Sequence, residues 1–113
     1  TVSHPHVAAL SQEMARKEIG DCRQRLQQEL GLAVNHFAFP FGRAADCGPR
    51  DFELVKKAGF IAAATTVKGL LRRNDQLFHL PRNTLNGSHQ NIAMIEAHLT
   101  GATALAARMF GRV

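Results

Sequence analysis

Two short apolar runs separated by a helical segment constrain the fold of this chain more than any other feature. Residues 33–39 and 60–66 have the length of strands, and the second run directly follows Gly59, which ends the helical segment. A short apolar run in that position is typical of a parallel sheet covered on both faces. Asp51 can cap the intervening helix, predicted over 52–58. This order of strand, helix and strand predicts an α/β layered or barrel architecture.

Longer helices are predicted toward both ends of the chain. Apolar residues recur every three or four positions over 10–31, and Ser11 is placed to cap the start of that helix. A second apolar stripe over 91–110 predicts one tail helix, weakened slightly by Gly101, that packs against the rest of the fold or a partner. The sequence between the second strand and this tail is polar and irregular, and it predicts at most a short strand at 76–80.

Length and composition favour a single domain. The chain has 113 residues, of which 45% are hydrophobic, and we therefore predict one domain over 1–113. No apolar run reaches the roughly 18 residues of a membrane helix, so we expect a soluble chain without a membrane span. The N-terminal residues have neither a signal-peptide pattern nor an initiating Met. We therefore expect a fragment or a processed product, and the sequence indicates no compartment.

The positive charge is spread along the chain instead of forming a dense basic run. Lys and Arg number 14 against 9 Asp and Glu, which gives a formal net charge of +5. Such a surplus can attract nucleic acid or other polyanions. The acids lie between the cations, however, and the chain has neither Tyr nor Trp to stack on bases. We therefore predict no nucleic-acid partner.

Three short motifs are candidates for a functional site. They are Thr-Val-Ser-His-Pro-His at 1–6, Phe-Ala-Phe-Pro-Phe-Gly at 37–42 and Leu-Pro-Arg at 80–82. Each is a weak signal alone, because a histidine before proline is more often a turn residue than a ligand, and Pro-Phe-Gly can simply end a strand. In this order, with an amphipathic helix between the first two, they resemble the polysaccharide deacetylase family, also called nodulation-type or family four carbohydrate esterases.

The resemblance implies a metal-dependent hydrolase that removes acetyl groups from N-acetylated oligo- or polysaccharides. It also implies a (β/α) barrel, of which this chain holds the C-terminal part. The family's metal motif reads His-Thr-x-x-His-Pro, so His4 matches its second histidine, and the first would lie just before Thr1. The family adds an aspartate from an earlier Asp-Asp motif, which this sequence does not contain. The implied cofactor is a divalent metal, most simply Zn, with an incomplete set of ligands in this chain.

The second motif resembles the family's Phe-x-Tyr-Pro-Tyr-Gly, with Phe39 and Phe41 in place of the two tyrosines. By that match, the backbone N–H of Phe41 is an oxyanion donor that stabilises the tetrahedral intermediate. Phe39 and Pro40 would then bind substrate along one wall of the groove. Many relatives carry an arginine where this chain has Ala38. The aromatic side chains of the motif can also simply fill a core.

The region of the third motif adds two candidate residues. Residues 77–79 read Leu-Phe-His, which matches the family's Leu-x-His and makes His79 a candidate general acid. Arg82 is a candidate for substrate binding, although anchoring of the chain through hydrogen bonds to carbonyls or a carboxylate is the favoured role. The family's Asp-x-x-Asp-Trp motif has no counterpart. His6 is interpreted as a surface neighbour of His4.

The sequence leaves three hypotheses open. In the first, the chain comes from a barrel deacetylase and is inactive or nearly so alone, because two of three expected metal ligands and the base are missing. In the second, it is a non-catalytic domain for carbohydrate binding or self-assembly, since open barrel edges favour a homo-oligomer. In the third, it is a basic nucleic-acid binder, which would show salt-sensitive retention on DNA or RNA.

Overall fold

The computed structural model describes residues 1–73, 76–87 and 91–110. Helices and strands alternate through the first 64 residues, and two further helices follow near the end. A short 3-10 turn precedes the first helix. In chain order, the elements are the 3-10 turn Val7–Ala9, α1 (Gln12–Leu30), β1 (His36–Ala38), α2 (Pro49–Lys57), β2 (Ala62–Ala64), α3 (Ile92–Leu99) and α4 (Ala102–Met109).

The sheet confirms the α/β expectation. β1 and β2 pair in parallel, with His36 opposite Ala62, and α2 forms the crossover that a parallel pair requires. The short strand predicted at 76–80 is reduced to a single parallel bridge between Leu80 and Ala64. Within the described residues the sheet therefore has two strands and one bridging residue.

α1 begins and ends where the sequence predicts. The Ser11 hydroxyl accepts a hydrogen bond from the Met14 N–H at 3.2 Å, and Gly31 ends the helix with a left-handed φ of 68°. Only the first half of the predicted apolar stripe is buried, at Ala15 and Ile19. The 19 residues of this helix span about 28 Å, whereas a three-residue strand covers only about 10 Å. The helix is thus longer than the strands, and the residues of its second half are half-buried or exposed.

α2 begins three residues earlier than predicted. Its N-cap is Gly48 and its first residue is Pro49, whose fixed φ suits the first helical turn. Asp51 lies inside this turn, and its carboxylate accepts a hydrogen bond from the Gly48 N–H at 3.0 Å. Asp51 therefore has a capping role, as predicted, but its side chain reaches back to the cap residue from the third helical position instead of from the residue before the helix.

The hydrophobic core lies between the sheet, α1 and α2. Phe37 is its aromatic centre, with ring centroids 5.0 Å from Phe39 and 5.2 Å from Phe60. Such tilted and edge-to-face pairs are the favoured aromatic geometries. The buried hydrophobic residues are Val7, Ala15, Ile19, Phe37, Phe39, Cys47, Leu54, Val55, Phe60 and Ala63.

The tail forms two helices, α3 and α4, where one was predicted. Gly101 has a φ of 82°, a left-handed conformation that interrupts the helix. The two helices pack mainly on each other, and much of their apolar stripe remains exposed, including Leu99 at 73% and Met109 at 74%. Among the described residues, no helix is long and apolar enough to cross a membrane.

Candidate functional site

His4 has an unusual backbone conformation. Its φ is 59°, a left-handed conformation that histidine adopts more often than most residues but that still costs energy. The exposed side chain meets the Phe41 ring edge-on, with centroids 5.5 Å apart. The first motif and the second motif, which residues 7–36 separate in the sequence, are thus in contact at this point.

His6 contacts the same aromatic ring. The rings of His6 and Phe41 stack with centroids 3.7 Å apart and an angle of 9° between their planes. Nδ1 of His6 lies 3.1 Å from Oδ1 of Asp46. The interpretation of His6 as a surface neighbour was incomplete, because its half-exposed side chain links the N-terminal segment to the loop that follows β1.

Asp46 organises that loop, and the sequence analysis missed it. Its carboxylate accepts hydrogen bonds from Nε of Arg43 at 2.9 Å and from the Arg43 N–H at 3.3 Å. The hydrogen bond from the Arg43 guanidinium, aided by His6, lowers the pKa of Asp46, although burial opposes this shift. The available signal was a pair of opposite charges three residues apart directly after Pro-Phe-Gly.

Glu18 holds the N-terminal segment against α1. Its carboxylate accepts hydrogen bonds from the Val2 N–H at 2.7 Å, the Ser3 N–H at 2.9 Å and the Ser3 hydroxyl at 2.7 Å. These bonds, led by that from the Ser3 hydroxyl, lower the pKa of Glu18. The residues immediately before His4 are therefore fixed to the first helix through a single carboxylate.

The Pro-Phe-Gly turn lies against the end of β2. The Gly42 carbonyl accepts a hydrogen bond from the Thr66 N–H at 2.9 Å, and a Cβ at Gly42 would lie only 2.6 Å from that nitrogen. No larger residue fits there without moving the backbone. The neighbouring Phe41 N–H donates no hydrogen bond to any residue in the described parts of the chain.

The other residues of the second motif have different degrees of burial. The Phe39 side chain is 1% exposed and belongs to the core. Pro40 and Phe41 are half-buried, so part of each side chain remains accessible. The backbone of Phe39 is joined to the end of β2, because its N–H donates to the Ala64 carbonyl at 3.0 Å.

His79 and Arg82 lie apart from the two histidines of the first motif. His79 is exposed and stacks on Phe52, with ring centroids 5.0 Å apart. Arg82 is fixed through its backbone, because its N–H donates to the Val67 carbonyl at 3.0 Å. In the described part of the chain, no ring contact or hydrogen bond joins His79 to His4 or Phe41.

The described residues do not assemble a complete metal site. They contain no group of three His, Cys, Asp or Glu side chains able to hold one metal ion. His6 is close to His4 in sequence, but its Nδ1 is engaged by Asp46. The role of His4 as a metal ligand, which the sequence resemblance implies, therefore stays a prediction.

Comparison with known proteins identifies the family. The family model described as polysaccharide deacetylase matches residues 1–63, which is more than half of the 113-residue chain. The chain belongs to the polysaccharide deacetylase family, a class of hydrolases that act on acetylated carbohydrates. No curated protein and no solved structure matches it. The matched residues include the first two motifs but not the region of His79 and Arg82.

Proposed function

We propose that this chain is part of a metal-dependent deacetylase of the nodulation type, which hydrolyses the N-acetyl groups of amino sugars in oligo- or polysaccharides. The observation that carries the proposal is the contact between His4 and Phe41. Both residues lie within the segment matched by the family model. The candidate metal ligand and the candidate oxyanion donor are therefore neighbours in space.

The Phe41 N–H is suited to the oxyanion role. It donates no hydrogen bond to a described residue, and the turn that carries it is fixed on both sides by Phe39 and Gly42. A donor that is fixed before the reaction needs no reorganisation when negative charge develops on the carbonyl oxygen. Pro40 and the Phe41 ring would then contact the sugar beside the reacting acetyl group.

The metal, most simply Zn, requires ligands beyond the described residues. His4 is the ligand proposed here, and one imidazole alone does not form the four-coordinate site that Zn prefers. We therefore propose that the 113 residues form the C-terminal part of a (β/α) barrel and one structural domain, and that they have little or no activity alone. Proposed supporting roles are general acid for His79, and substrate binding or chain anchoring for Arg82.

The experiment compares the 113-residue chain with a longer form extended upstream in the same reading frame. We expect the longer form to bind a divalent metal and to release acetate from N-acetylglucosamine oligomers, and the shorter form to do neither. Metal content and acetate release are measured on both proteins. Robust metal-dependent acetate release by the shorter chain would refute the need for outside ligands.

Replacing His4 separates the metal role from a structural one. In the longer form, His4→Gly should abolish metal binding and acetate release, while the free energy of unfolding stays within about 1 kcal/mol, because glycine accepts a positive φ. The matched control is His36→Ala, which removes an exposed histidine from β1. Metal binding that persists in His4→Gly would exclude His4 as a ligand.

A second candidate function is a non-catalytic domain that binds carbohydrate or assembles with copies of itself. It is favoured by the sheet, because among the described residues β1 pairs with β2 and has no strand on its other side. An unpaired edge is a template for another chain. Light scattering tests self-assembly. If the chain is monomeric and its longer form releases acetate, the second candidate function is rejected and the deacetylase proposal stands.

A further inference from the structure

A cationic cleft lies outside the candidate site. It has a volume of about 540 Å³ and opens between the segment that follows β2 and the length of α4. Its cationic lining residues are Lys68 and Arg72, which follow β2, and Arg108 of α4. Arg72 already has an interaction partner, so Lys68 and Arg108 are the cations on which the inference rests. None of the described residues that line the cleft is acidic.

We propose that this cleft binds an anionic group, a phosphate or a carboxylate, carried by a small ligand. Positive side chains around one concavity raise the local concentration of anions. The volume lies within the usual range for small-molecule sites. Arginine and lysine are the residues that proteins use for these anions, through paired hydrogen bonds and as a point charge respectively.

The cleft is separate from the contact between His4 and Phe41, and the inference does not depend on the acid role proposed for His79. Of the candidate site residues, only His79 also lines the cleft, and His4 and Phe41 lie elsewhere. The polar lining includes Gln76 and Thr100, which can hydrogen-bond the uncharged part of a ligand. Phosphate and carboxylate ligands present the same kind of charged oxygens, so the experiment must distinguish these two sources.

Nuclear magnetic resonance titration of the 113-residue chain provides the first test. The probes are inorganic phosphate and trigalacturonic acid, with the uncharged trimer of N-acetylglucosamine as the control. We expect one of the anions to shift amide signals of residues 67–70 and 100–105, and added salt to weaken the effect. Shifts located elsewhere, or equal shifts with the neutral trimer, would overturn the proposal.

A pair of charge-matched variants provides the second test. Lys68→Gln with Arg108→Gln removes two cations from the cleft, and we expect binding of the preferred anion to weaken by at least about fivefold. Arg16→Gln with Lys17→Gln removes two exposed cations from α1 and should leave binding nearly unchanged. Equal weakening in both double variants would mean nonspecific attraction to a basic protein, and the cleft would not be a site.

Discussion

The chain has two regions, residues 1–66 and the described residues after 66. Both contain helices with an apolar stripe, but only the first region contains buried hydrophobic residues. Every buried hydrophobic residue among those described lies between Val7 and Ala63. Beyond residue 66, Phe78 packs half-buried against this core, and the apolar side chains of α3 and α4 are largely exposed. A helix buries its apolar stripe only where a sheet or another helix offers a surface. The family match, over residues 1–63, ends where the buried core ends.

Polar side chains fix the backbone in both regions, but in the first they bond residues that also pack against the core. In the first, Arg23 donates to the carbonyls of Val34 and Ala58 at 2.9 and 3.1 Å, which joins α1 to the ends of β1 and α2. In the second, Asn83 exchanges two hydrogen bonds with the backbone of Gly69, at 3.0 and 3.3 Å. The first region thus has buried apolar contacts and long-range hydrogen bonds acting together.

The largest expected difference in stability is between two variants that each remove one phenylalanine, one from each region. Phe39→Ala should reduce the free energy of unfolding by about 3–5 kcal/mol, because it leaves a cavity in the core. Phe110 is 76% exposed, so Phe110→Ala should change the free energy of unfolding by no more than about 0.5 kcal/mol. Urea unfolding followed by circular dichroism measures both. Similar losses in the two variants would mean that the second region is buried by a partner.

A smaller loss of stability is expected from replacing Gly42, a glycine packed closely against the backbone of another segment. Gly42→Ala should reduce the free energy of unfolding by about 1–3 kcal/mol, because the new Cβ would meet Thr66 and Thr65 backbone atoms at 2.6–2.9 Å. The control is Gly20→Ala in α1, where no atom outside the adjoining residues and the helix backbone lies within 4 Å of the new Cβ. That change should stabilise the protein by about 0.5–1 kcal/mol. A tolerated Gly42→Ala would mean that the Pro-Phe-Gly turn is not fixed against β2.

The sequence correctly predicted the helices and strands that can be recognised from neighbouring residues alone. Ser11 and Gly31 correctly bounded α1, because helix caps depend on neighbouring residues. The apolar runs correctly located β1 and β2, and the order of elements predicted their parallel pairing. The break at Gly101 was missed, because periodicity alone does not reveal a left-handed residue within a helical pattern.

The candidate site was only partly accessible to sequence analysis. The family resemblance selected His4 and Phe41, which the structure places in contact. It did not select Asp46, which pairs with Arg43 three residues earlier and meets His6 only when the loop after β1 folds onto the N-terminal segment. A charged residue in an irregular loop carries no periodic signal, so its role depends on tertiary contacts.

The smallest expected effect concerns this Asp46 cluster and depends on pH. The Arg43 hydrogen bond, with help from His6, holds the pKa of Asp46 below its ordinary value. The ionised carboxylate is therefore favoured in the folded state, and its contribution to stability is present above the ordinary pKa of about 3.9. This contribution is lost as the pH falls from about 4 through the lowered pKa of the folded state.

The variant Asp46→Asn tests the direction of this pH dependence of stability. The variant should be less stable than the unmodified chain at pH 7, and the difference should narrow in urea unfolding measured at successively lower pH below 4. Asp21→Asn, an exposed change on α1, should alter the free energy of unfolding by no more than about 0.5 kcal/mol at pH 7. A difference for Asp46→Asn that stays constant with pH would show that the carboxylate acts through shape or hydrogen bonding alone. The first region would then depend on packing, without an ionic contribution from this cluster.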